Sequence, residues 1–71
     1  MPSNAEVRRL VEDAVETEVQ RCDYDQRLSY KQYDTVVRRI ADEVFARMLD
    51  EMRPEMNDED HEIVTDCCGM L

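Results

Sequence analysis

The sequence predicts an all-α fold: a helical hairpin joined by a short third helix, making a three-helix bundle completed by dimerisation or by a partner chain. Three observations carry this. Apolar residues recur at three-and-four spacing over two long stretches, each stretch opens on a serine cap, and only one Gly and two Pro interrupt the chain. At 71 residues the chain is one small domain, 1–71. A core of that size rarely contributes more than roughly 3–5 kcal/mol of stability, so helix packing or a partner has to supply the margin.

The first helix is predicted over about residues 4–22. Ser3 and Glu6 form a capping box, and Val7, Leu10, Val11, Ala14, Val15, Val19 and Cys22 fall on one face, opposite Arg8, Arg9, Glu12, Asp13 and Glu16. Residues 23–28 break the period and read as a reversing connection.

The second helix is predicted over 29–53. It has a Ser29–Gln32 capping box, an apolar stripe and Pro54 as its stop. The stripe runs through Tyr33, Val36, Val37, Ile40, Ala41, Val44, Phe45, Met48, Leu49 and Met52. Arg38/Asp42, Arg39/Glu43, Glu43/Arg47 and Arg47/Glu51 stand four apart on the outer face, where such pairs help by a few tenths of a kcal/mol.

The third helix is predicted over 58–68. Asn57 caps a first turn of Asp58, Glu59 and Asp60, while Ile63, Val64, Cys67 and Cys68 share a face. Gly69, followed by Met70 and Leu71, suits a glycine C-cap with its apolar contact. The rival reading makes Glu62–Thr65 a short strand.

Charge narrows the function. Residues 1–53 carry twelve acids and nine bases, whereas residues 54–71 carry six acids and neither Lys nor Arg, so two thirds of the net −9 lies in the tail. Direct binding to nucleic acid or to an anionic membrane needs a basic face and is not expected. No apolar run of ~18 residues marks a membrane span, and three cysteines, two of them adjacent, do not form a disulfide framework. A cytoplasmic protein with reduced thiols is expected.

Nothing in the sequence matches a catalytic motif, so no enzyme, no catalytic residue and no cofactor are expected. His61 with Asp58, Asp60, Cys67 and Cys68 is the one metal-like collection. Vicinal cysteines fit a single tetrahedral ion badly and the acids do not follow an EF-hand loop, so no metal is expected. Tyr24, Tyr30 and Tyr33 are read as core and turn residues before they are read as a contact patch.

The segments Val11-Glu12-Asp13-Ala14-Val15, Tyr24-Asp25, Ile40-Ala41-Asp42-Glu43-Val44, Arg53 and His61-Glu62-Ile63-Val64-Thr65 run in an order that resembles Tctex-type dynein light chains. That resemblance implies two helices packed on an antiparallel sheet, a dimer, and peptide binding along a sheet edge. It covers the helical half, and no binding residue of the family carries over.

The expected function is therefore a protein–protein interaction module, an assembly or adaptor subunit that pairs with itself or docks on a protein partner. Ten apolar positions on the second helix exceed what a shorter first helix covers, and the acidic tail is a poor lid. The contact is accordingly expected at Val37, Val44, Phe45, Met48 and Met52. The alternatives are an acidic inhibitor of a nucleic-acid-binding protein, of the kind phages encode, and a regulator that reaches DNA through its partner.

Overall fold

A computed structural model describes residues 3–23 and 26–69. Tyr24 and the Met70–Leu71 contact expected beyond Gly69 lie outside the described residues. Three helices of 19, 21 and 12 residues, α1 (Asn4–Cys22), α2 (Tyr30–Asp50) and α3 (Asp58–Gly69), make up 80% of them. No strand forms among the described residues, and Glu62–Thr65 belongs to α3.

The predicted caps set the starts. Ser3 Oγ accepts the Glu6 amide at 3.2 Å, and at α2 both halves of the box form: Gln32 N–H to Ser29 Oγ at 3.2 Å and Ser29 N–H to Gln32 Oε1 at 2.9 Å. Between these helices Asp23 organises the reversal. Its carboxylate accepts the amides of Arg27 and Leu28, and its carbonyl accepts that of Gln26, which sits at φ 55°.

The end of α2 corrects the predicted boundary. The helix stops at Asp50, three residues before the expected end, because Met52 turns to φ 56°. Its amide donates to Leu49 O at 3.2 Å, and the Arg53 amide donates to Met48 O at 2.8 Å. Those two bonds are a Schellman cap closed without glycine, and Pro54 follows it rather than causing it.

Shortened to 21 residues, α2 nearly matches α1 in length, so the expected mismatch of almost two turns disappears. The helices run up, down and up. Arg8 meets Asp42 at one height and Tyr33 meets Glu16 at another, which fixes α1 against α2; Arg47 meets Glu59 across the second reversal. Val7, Val11, Val15 and Val19 are all buried. Four residues advance about 40° beyond a full turn, so this stripe winds round α1 toward its C-terminal half. α3 packs on both helices, and its Val64 and Cys68 complete the core that holds Ile40, Ala41 and Val44.

The acidic tail is thus a working lid, against expectation. Its acids turn to water, apart from the buried Asp60, while one apolar face docks. Leu10, placed by period on the buried face, is 63% exposed. The outer-face arginines also choose other partners than those expected: Arg38 pairs with Asp34, Asp42 with Arg8, and Arg47 with Glu59. Reach across helices takes Asp42 and Arg47, while Arg38 turns to the other residue four positions away on its own helix.

Candidate interaction surface

The five residues expected to form a contact separate in the structure. Val37, Val44 and Met48 are buried within the chain's own core, on the side of α2 that packs against the other helices. Phe45 is half-buried and Met52 is 89% exposed. These two belong to an open apolar groove of about 350 Å³ where the start of α1 meets the end of α2. Asn4 and Val7 line it from α1, Phe45, Met48 and Leu49 from α2, and Met52, Arg53 and Pro54 from the turn that follows.

The groove has a rigid back. Phe45 lies beneath the Arg8 guanidinium, 5.7 Å from the ring centre, and Arg8 is itself held by Glu12 at 2.9 Å and Asp42 at 2.6 Å. Leu49, one turn on from Phe45, leaves 49% of its surface in water. Met52 then stands out from the Schellman turn, where a left-handed backbone costs a non-glycine residue roughly 1–2 kcal/mol. Packing of the Met52 side chain against the described residues is too slight to offset that cost.

Behind the turn, Arg53 pins α3. Its Nη1 and Nη2 donate to Asp60 Oδ2 at 2.6 Å and Oδ1 at 3.2 Å, its Nε donates to Glu51, and Nη1 also reaches the Glu55 carbonyl. Asp60 is fully buried, and it exchanges bonds with the α3 cap: Asn57 N–H to Asp60 Oδ2 at 3.1 Å and Asp60 N–H to Asn57 Oδ1 at 3.0 Å. The Arg53 guanidinium holds the Asp60 carboxyl below the usual carboxylate range, outweighing burial, with help from the Asn57 amide and the nearby Arg47 charge. Arg47 Nε, 4.0 Å from Asp60 Oδ1, is buried without a hydrogen-bond partner and acts on Asp60 through its charge alone.

The sequence places Asp60 in the capped first turn of the third helix and gives Arg53 no structural role. The readable signal was the Asn57-x-x-Asp60 spacing, a capping box with an aspartate at its third position. The other singled-out residues do not converge on the groove. His61 and Tyr30 are exposed, and the half-buried Tyr33 donates its hydroxyl to Glu16 O and accepts from Gln20. Among the described residues no three His, Cys, Asp or Glu side chains come together as a metal-ligand set, and no helix is long and apolar enough to cross a membrane.

Neither a known protein family, nor a characterised protein, nor a solved structure matches this chain.

Proposed function

We propose that this chain is a non-catalytic interaction module that docks on a protein partner through the groove between Val7, Phe45, Leu49 and Met52. The observation that carries the reading is Met52, a large apolar side chain held in water by a backbone conformation that favours glycine. A residue that breaks a local rule with no compensation inside the fold points to a use outside it. Methionine suits that use, since its flexible thioether adapts to the shape of a bound surface.

The partner's contacting segment is apolar with basic flanks. Asp50 and Glu55 flank the lining residues, Glu51 offsets the charge of Arg53 in the lining, and the chain carries a net −9, so two copies repel where a basic segment is drawn in. Because α3 closes the core, the earlier reason for obligate self-pairing no longer holds.

Met52→Gly separates the two roles of the position. It should stabilise the isolated chain by roughly 1 kcal/mol, read from urea unfolding, because glycine removes the left-handed strain. The same substitution should weaken partner binding. A midpoint that falls would show that Met52 supports the fold instead.

Binding itself is tested by affinity capture with the wild-type chain, Met52→Gly and Leu49→Asp. A partner retained at ~0.5 M salt by the wild type and lost by both variants is the expected result, since apolar docking resists screening. Capture that both variants preserve, but that salt abolishes, would move the function to the acidic surface. Sedimentation equilibrium at micromolar concentration checks self-association: a wild-type homodimer dissolved by Leu49→Asp would make a second copy the occupant.

A further inference from the structure

Met48, Met52 and Met56 follow one another at four-residue intervals and meet three different surroundings. Met48 is 1% exposed in the core, Met56 is half-buried against it, and Met52 is 89% exposed. The turn that ends α2 fixes where Met52 stands. Its amide donates to Leu49 O, the next amide donates to Met48 O, and Arg53 is tied to Asp60 behind it. Methionine sulfur reacts with peroxides through a lone pair, so solvent access decides which of the three is open to attack.

We propose that Met52 is an oxidation site: a peroxide converts its thioether to the sulfoxide, and the modified side chain turns docking in the apolar groove off. This deepens the reading of the groove as a docking surface and rests on it. The sulfur lone pair attacks one oxygen of the peroxide, and the S–O bond forms as the O–O bond breaks. With hydrogen peroxide, the proton on the transferred oxygen passes to the departing hydroxide, which leaves as water. The sulfur gives up two electrons and the peroxide gains them. A thiol-dependent sulfoxide reductase removes the oxygen as water, two thiols becoming a disulfide, and restores the apolar side chain.

The position separates docking from folding. In the free chain the sulfoxide oxygen stays in water, and the core, Met48 included, is untouched. On docking, the same oxygen has to enter a surface lined by Val7, Phe45 and Leu49, where a polar group is stripped of water. Oxidation of Met48 would instead break the core, and burial protects it.

The test treats the full chain with hydrogen peroxide, maps the oxidised methionines by mass spectrometry, and measures docking by fluorescence anisotropy. The probe is a synthetic amphipathic helix of leucine and lysine, the apolar and basic chemistry that suits the groove, in ~0.5 M salt to screen simple charge attraction. The wild type should gain oxygen at Met52 while Met48 stays unmodified, with an unchanged melting temperature. Affinity for the probe should fall roughly tenfold and return after reductase treatment. Met52→Leu should bind as the wild type does and keep its affinity after peroxide, which assigns the loss to this one sulfur. Met48 oxidised as fast as Met52, or an oxidised chain that binds as before, would overturn the switch; the groove reading would still stand if Leu49→Asp abolished binding. Leu49→Asp binding the probe as tightly as the wild type would overturn the groove reading and the switch together.

Discussion

Replacing Asp60 with Ala is expected to cost the fold about 3 kcal/mol, a large share of what a domain of this size holds. The substitution removes the bidentate acceptor of Arg53 and the acceptor of the Asn57 amide together, so the turn after α2 and the cap of α3 lose their common anchor. Arg53 is left without its main partner but keeps Glu51 and some water, which places the loss at the lower end of what breaking a buried pair costs. Asp60→Asn should retain part of the cap and lose the charge, giving a smaller drop. The linked pH dependence has a definite sign. A carboxyl held below its ordinary value near 3.8 stabilises the fold above that value, and the contribution disappears as pH falls through the lower folded value. Urea midpoints at neutral pH and near pH 3 should therefore fall further apart in the wild type than in Asp60→Asn. Equal spacing would mean that Asp60 is not the group that titrates with unfolding.

Ile40→Ala is the second large effect, with an expected loss of roughly 2–4 kcal/mol. Ile40 is buried midway along α2, in the same cluster as Ala41 and Val44 and the residues that α1 and α3 bring to the core. Truncation leaves a void that the stiff β-branched valines of the cluster do not readily fill. Part of the population should then be unfolded at room temperature, seen as reduced helical circular dichroism and a broad melt. Leu10→Ala is the control, because its side chain already stands mostly in water and its loss should change the midpoint little. A midpoint for Ile40→Ala that matched the control would show that the buried face is wrongly assigned.

These effects also show what was legible before the fold was known. The starts of all three helices follow from Ser3, Ser29 and Asn57, whose side chains bond the amides predicted for them. The buried valines of α1 follow from spacing, since only one face of a helix repeats every three or four residues. The end of α2 was not legible, because Met52 adopts a glycine-like backbone that side-chain identity does not announce. The tail was misjudged for a related reason. Its acids were summed as a net charge, while the structure pairs two of them with arginines: Asp60 with Arg53, seven residues away, and Glu59 with Arg47. Once that pair docks α3, Val37, Val44 and Met48 have intramolecular partners, and the contact surface proposed above centres on Phe45, Leu49 and Met52.

The up-down-up order has a mechanical consequence. Ser3 lies at one pole of a body 38 Å long and Gly69 at the other, because three helices reverse direction twice. Tension applied across those two points runs along the helix axes. Under such a load α1 and α3 have to slide past α2 with their interlocked side chains yielding together, instead of peeling away a turn at a time. A chain loaded in this way behaves as a stiff strut.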